Sequence, residues 1–363
     1  MHPALTSLTR DELTDLLKEL GQPAYRAGQV LDWLYRRRVT TAAEMTNLPA
    51  SLRESLAGRV LLPMELVRVQ GSADQTRKFL FRLTDGRLIE SVLIPASPAL
   101  YGERSDRRTL CVSTQVGCAM DCKFCASGLA GLARNLEAGE IVGQILAVEA
   151  AAGEKINNLV FMGMGEPLAN LRNLEKALTI LNAPWGLNIG ARHITISTSG
   201  LAPAIRKFAA FPLQIRLAVS LHGATDEVRE RLMPVNRKWN IEELCEALRF
   251  WRRHHKQMLT FEYILIRGVN DDLDQAHRLA ERARELEAKV NLIPYNKVEG
   301  LPWERPAIRH CERFRRVLDE AGVPATLRIE KGHAIDAACG QLRLQEEAAA
   351  QRGASVPPAR KPG

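Results

Sequence analysis

The chain has 363 residues, 46% hydrophobic and 25% charged, with 50 Lys and Arg against 42 Asp and Glu for a formal charge of +8. That length exceeds what one small core requires, so a main domain with a smaller appendage is expected. No apolar run reaches the roughly 18 residues of a membrane span, and the N-terminus lacks a secretory leader's basic start, apolar stretch and cleavage site. The protein therefore reads as cytoplasmic, with no membrane partner, and its basic balance favours a polyanion.

The first segment reads as a small helical unit. Thr9 and Glu12 form a capping-box pattern ahead of Leu13, Leu16, Leu17 and Leu20, an i, i+3, i+4, i+7 stripe. A second helix carries Val30, Trp33 and Leu34 on one face and ends in Arg36, Arg37 and Arg38; a third starts near Pro49 with Leu52, Leu56 and Val60. Arg26, Arg36 to Arg38, Arg53 and Arg59 make this unit basic. Such a face docks on phosphates, or is simply solvated with favourable charge at a helix C-terminus.

From about residue 64 to 95 the pattern turns extended: MELVRVQ, RKFLFRLTDG and RLIESVLIP read as short strands with a turn at Asp85-Gly86. Apolar runs then recur at 109–113, 157–162, 193–198, 214–220, 259–266 and 289–295, separated by helical stretches. Six alternating β and α units imply a parallel sheet with helical crossovers, an α/β partial (β/α)6 barrel, with a doubly wound open sheet as the alternative. The expected division is a helical RNA-binding accessory domain over 1–62, a β-rich linking segment over 63–103, a barrel core over 104–345 and a disordered tail over 346–363, rich in Ala, Pro and Gly.

Seven cysteines in a chain this long point to metal or redox chemistry in place of a disulfide framework. Three stand together as Cys118-Ala-Met-Asp-Cys122-Lys-Phe-Cys125, just after the first barrel strand. Three thiolates on a 4Fe-4S cluster leave one iron open to a substrate. A zinc site made by Cys111 with the triplet is the alternative, but structural zinc normally uses two separated pairs. The triplet's place at the C-terminal end of a strand favours an active site, since barrel enzymes keep their chemistry there. Cys245 and Cys311 sit in helical patterns with no motif around them and are assigned to structure.

The triplet closely resembles the radical S-adenosylmethionine (SAM) superfamily, which implies that the open iron binds SAM and that an electron from the cluster cleaves it to a 5′-deoxyadenosyl radical. Other predicted strand ends are consistent with a SAM cradle: Gly163, Gly165 and Glu166 in FMGMGEP, Ser197 in TISTSG, Ser220, Leu221 and His222 in AVSLHGA, and Asn296 in LIPYN. The glycines would let the backbone approach a ligand, and the Glu166 carboxylate would accept from an amine.

The ordered segments YRAGQVLDWLY, EMTNLPASLRESL, IESVLIP, CVSTQVGCAMDCKFC, FMGMGEPLAN, ITISTSG, SLHGATDEVRERLMPVN, EYILIRGVND, LIPYN and IDAACGQL resemble the RlmN family, over nearly everything except the tail. The resemblance implies a dual-specificity methyltransferase acting at adenine C2 in 23S rRNA (adenosine 2503, in the peptidyl-transferase region) and in tRNAs (adenosine 37, 3′ of the anticodon). C2 lies between two ring nitrogens and is too electron-poor to attack a SAM methyl, so the route is radical and uses two SAM per turnover. By the same resemblance Cys339 accepts a methyl and carries it as a thioether, Cys111 resolves the protein–RNA adduct through a transient disulfide with Cys339, and Glu90 takes the C2 proton. Partners implied are the two RNAs and an electron donor, with the protein a monomer. The target base must leave its stack to enter the barrel.

The chain departs from the family pattern at Lys331-Gly332-His333-Ala334, ahead of Cys339, and carries a long segment between IESVLIP and the first cysteine. The alternatives are the related C8 methyltransferase, a radical SAM enzyme acting on a peptide or small molecule, and a non-catalytic zinc-binding RNA module.

Overall fold

The computed structural model describes residues 3–59, 61–71, 76–96, 105–128, 131–298, 300–328, 342–343 and 346. Helices α1 (Arg10–Glu19), α2 (Arg26–Tyr35) and α3 (Ala50–Ala57) form the N-terminal unit. The capping box is present: the Thr9 hydroxyl accepts from the Glu12 amide at 3.3 Å and the Glu12 carboxylate from the Thr9 amide at 2.8 Å. Leu13, Leu17, Val30, Trp33, Leu34, Leu52 and Leu56 are buried, in one continuous core with the rest of the protein. Val60 lies outside the described residues.

Strands β1 (Met64–Gln70), β2 (Arg77–Leu83) and β3 (Leu88–Pro95) form an antiparallel meander, and β3 pairs antiparallel with β4 (Arg108–Cys111). At the β2–β3 turn Gly86 takes φ +82, a conformation its missing Cβ permits. The meander thus extends the main sheet. Beyond β4 every pairing within the main sheet is parallel: β7 (Asn158–Phe161), β8 (Ile194–Thr198), β9 (Arg216–Ser220), β10 (Leu259–Leu265), β11 (Ala288–Pro294) and β12 (Ala325–Leu327). A separate hairpin, β5 (Gln115–Gly117) with β6 (Leu132–Asn135), brackets the cysteine triplet.

The parallel strands stand in chain order across the sheet. A doubly wound sheet reverses its order at a switch point, so the progression excludes that alternative and fits a barrel wound in one direction. Crossovers are made by α4 (Ala138–Ala152), α5 (Leu171–Asn182), α6 (Ala202–Phe208), α7 (Asp226–Leu232), α8 (Ile241–His254), α9 (Leu273–Glu285) and α10 (Ile308–Glu320). Cys245 and Cys311 are buried in the core on α8 and α10. Among the described residues no helix is long and apolar enough to cross a membrane.

Candidate active site

A cavity of about 250 Å³ opens at the C-terminal ends of the parallel strands, lined in part by Cys118, Cys122, Cys125, Gly165, Glu166, Ser197, Ser220 and His222. Side chains alternate along a strand, so the residues that line it mark the inward face of each: Met162 beyond β7, Ser197 on β8, Ser220 on β9, Glu262 and Ile264 on β10, Ile293 on β11.

The loop that carries the triplet is pinned on several sides. The Lys123 amide donates to the Leu232 carbonyl at 2.9 Å, the Trp303 indole donates to the Lys123 carbonyl at 3.0 Å, and Phe124 meets His222 edge to face at 4.7 Å. Burial pushes the Cys118 thiol up to about 11 and the Cys122 thiol well above its ordinary range, each thiolate also opposing its neighbours. Crowded, desolvated thiolates need a cationic partner to persist. Among the described residues no group of three or more His, Cys, Asp or Glu is close enough to enclose a single metal ion. A four-iron cluster takes one thiolate per iron, so its ligands stand further apart than those of one ion, and the open triplet fits the cluster and not a lone zinc.

The cavity also fits a polar ligand. Ser127 Oγ and Glu262 Oε2 are buried in its lining with no hydrogen-bond partner among the described residues. Such atoms are costly unless something satisfies them. Glu166 is 3% exposed; its two carboxylate oxygens accept from the amides of Leu168 at 3.0 Å and Ser199 at 2.6 Å. Burial raises its pKa against those bonds and against the hydroxyls of Ser199 and Thr198, which also donate to it. His222 holds φ 55 while its Nδ1 accepts from the Ile264 amide at 3.0 Å.

Gly163 and Gly165 both line the cavity, and both are also packed closely on the chain that follows β4: a Cβ on Gly165 would stand 2.5 Å from Gln115 Cβ, and one on Gly163 would stand 2.7 Å from Ser113 Oγ. Leu221 is buried in the core and Asn296 is partly buried beyond β11, and neither lines the cavity. Conversely, Thr198, Ser199, Glu262 and Arg328 line it and were not singled out in the sequence. Glu262 had a legible signal, as a lone carboxylate within the apolar run LTFEYILI.

Cys111 and Glu90 sit beside the cavity and not in its lining. Cys111 pairs with Val92 on β3 and Val160 on β7, and Glu90 lies two residues before Val92, so both share the inward face. Both are buried, at 5% and 2% exposure. The Arg343 amide donates to the Glu90 carboxylate, which brings the chain just past Cys339 onto β3. Cys339 itself, with the Lys331-Gly332-His333-Ala334 departure and nearly all of the tail, lies outside the described residues.

In the helical unit most of the arginines are engaged internally. Arg36 and Arg37 pair with Asp32 at 3.4 and 3.1 Å, Arg37 also covers the Trp33 ring, and Arg38 pairs with Glu149 of α4 at 2.6 Å. Arg26 donates to Gln29 at 2.7 Å and Arg53 to the Ala43 carbonyl at 3.2 Å.

Comparison with known proteins agrees with this geometry. Residues 4–62 match the ribosomal RNA large subunit methyltransferase N-terminal domain, and residues 112–280 match the radical SAM superfamily. A protein of Akkermansia muciniphila named "Probable dual-specificity RNA methyltransferase RlmN" is 58% identical over 95% of this chain and 96% of its own length. One from Opitutus terrae, named "Probable dual-specificity RNA methyltransferase RlmN 3", is 54% identical over 95% of each. Among solved structures, a radical SAM methyltransferase from Sphaerobacter thermophilus superposes with a TM-score of 0.87 at 45% identity, covering 94% of this chain and 99% of that one.

Proposed function

The chain belongs to the RlmN family of radical SAM RNA methyltransferases, and from that membership we propose that it methylates adenine C2 at adenosine 2503 of 23S rRNA and adenosine 37 of tRNAs, acting as a monomer in the cytoplasm with an external electron donor. The observation that carries this reading is the convergence of three cysteines and two buried polar atoms unpartnered among the described residues, Ser127 Oγ and Glu262 Oε2, on one cavity, with Cys111 on the adjoining inward face.

When bound, a 4Fe-4S cluster on Cys118, Cys122 and Cys125, with SAM, supplies the 5′-deoxyadenosyl radical and the methyl group. The chain's own residues do the rest. Glu166, held by two backbone amides, presents its carboxylate to the amine of the methionyl group. Ser197, Ser220 and His222 line the space beside it. Cys339 takes the methyl and delivers it to C2 as a thioether carbon. Cys111 attacks the Cys339 sulfur, so the S–C bond to the product breaks as a disulfide forms, and external thiol returns both sulfurs to the reduced state. Glu90 accepts the C2 proton.

Anaerobic turnover with methyl-labelled SAM and an rRNA fragment, followed by nuclease digestion and mass spectrometry, tests this. The expected product is 2-methyladenosine; 8-methyladenosine, or label in no nucleoside, overturns the reading. Cys118→Ala, Cys122→Ala and Cys125→Ala are each expected to lose bound iron and SAM cleavage. Normal iron content in the triple variant would defeat the cluster assignment.

A further inference from the structure

The inward face carries cations that the chemistry above does not use. Arg216 on β9 and Lys289 on β11 each lie four residues before a residue that lines the cavity, Ser220 and Ile293, so alternation turns them to the same interior. Four residues of strand place each roughly 13 Å nearer the N-terminal mouth than that residue. Arg216 pairs in register with Thr195, Thr195 with Val160 and Val160 with Cys111, so the guanidinium and the thiol lie on the same inward face, three strands apart. Arg107 joins from the approach to β4, its Nε donating to Thr109 Oγ1 at 3.2 Å, and Thr109 alternates with Cys111 on that face.

These charges feel one another. Burial lowers the pKa of Lys289; Glu262 opposes this, and Arg216, Arg107 and Arg328 add to it. Arg216 and Arg107 likewise depress His193, after burial and Arg192. Among the described residues neither Arg216 nor Lys289 forms an ion pair with a carboxylate, and Arg216 Nε is buried without a partner. Glu262 supplies one negative charge against these cations, fewer than their number, so an anionic ligand would relieve the repulsion that remains.

We propose that Arg107, Arg216 and Lys289 form a phosphate-binding layer at the N-terminal mouth of the barrel. It takes phosphodiester groups flanking the target nucleotide. The RNA strand then enters on the side opposite the cluster, and the base reaches inward past Cys111. This rests on the RNA methyltransferase reading, and it names where the backbone of that RNA is held. Guanidinium and ammonium groups suit phosphate oxygens, and the contacts carry no sequence information, as an enzyme with two different RNA substrates requires.

The test measures binding of a tRNA anticodon stem-loop and a 23S rRNA fragment to cluster-loaded Arg216→Gln, Lys289→Gln and the double variant, between about 50 and 200 mM salt. Each lost phosphate contact should weaken binding roughly tenfold at low salt and reduce the slope of log affinity against log salt by about 0.7. Iron content and RNA-free SAM affinity should match wild type. RNA affinity and slope equal to wild type overturn the layer, as does a loss confined to SAM affinity. Wild type that methylates neither RNA defeats the activity itself, whereas wild type that methylates alongside variants with unaltered slopes defeats the phosphate layer alone.

Discussion

The buried guanidinium of Arg229 donates to the carbonyl oxygen of Ser199 at 2.5 Å, while the amide of that same Ser199 donates to the Glu166 carboxylate at 2.6 Å. A second arm of Arg229 donates to Asn236 Oδ1 at 2.8 Å. Arg229 is fully buried, Gly200 and Gly223 leave it room, and its charge favours the thiolate form of Cys122. Arg229 thereby positions the carboxylate assigned to SAM without lining the cavity.

Arg229→Met would strand the Ser199 carbonyl and the Asn236 amide oxygen. A loss of about 3 kcal/mol in urea unfolding is expected, from about 1–3 kcal/mol for each unsatisfied group, with weaker SAM binding in the folded fraction. Arg229→Lys should recover only part, since an ammonium lacks the planar fork that reaches both partners. Wild-type stability and SAM affinity in Arg229→Met would show the network to be incidental.

The two thiols outside the cluster should fail differently. Cys339→Ala has no methyl acceptor and should form neither methylated protein nor RNA adduct. Cys111→Ala accepts the methyl but cannot resolve the thioether, so a covalent protein–RNA species should persist on denaturing gels and vanish with nuclease. Normal turnover by Cys111→Ala, or an adduct with Cys339→Ala, would exclude the two-thiol mechanism.

Burial, and then the charge of Arg229, drives His222 down to about 3. The unfolded chain titrates near 6.5, so between about pH 6.5 and 3 it binds a proton that the fold refuses, and stability falls as pH falls. This group should cost about 2 kcal/mol between pH 7 and pH 5. His222→Asn tolerates the left-handed backbone and can still accept from the Ile264 amide, so its urea midpoint should lose that share of the acid sensitivity. An unchanged pH slope would place the sensitivity elsewhere.

Arg38 ties the helical unit to α4 through Glu149. Arg38→Ala should lower stability by about 1–2 kcal/mol, the cost of breaking a partly buried pair, and leave the salt dependence of RNA binding unchanged. A shallower salt slope would instead assign Arg38 to a phosphate.

The long parallel strands were legible because a run such as HITIST or QIRLAVS is β-branched, apolar and bounded by turn residues. β5, β6 and β12 were missed: each has only three or four residues and, unlike the equally short β4 and β7, none sits in a longer apolar run that marks it. The cysteine triplet, Glu166, Ser197, Ser220 and His222 could be read because they follow strand-like runs or stand in a motif. Ser199 and Arg328 could not, because their place at the cavity depends on barrel curvature and strand stagger, which no local pattern encodes. The sequence showed the charge of the helical unit's arginines but not their partners: Arg36 and Arg37 share Asp32, and Arg38 pairs with Glu149.

The start of α4 meets the N-terminal unit closely: the Gly139 amide donates to Ser7 Oγ at 2.9 Å, and a side chain at Gly139 would collide with that hydroxyl. The helical unit and the barrel share one apolar core across this contact. The assembly then works as a fixed gauge. An RNA docked on this fixed surface would meet the reactive thiols at a set reach, so two unrelated RNAs could be substrates if each presents an extrudable adenosine at that same span. Replacing Gly139 with a larger residue would alter the gauge by prying the two parts apart, and so change which RNAs fit before it changed the chemistry.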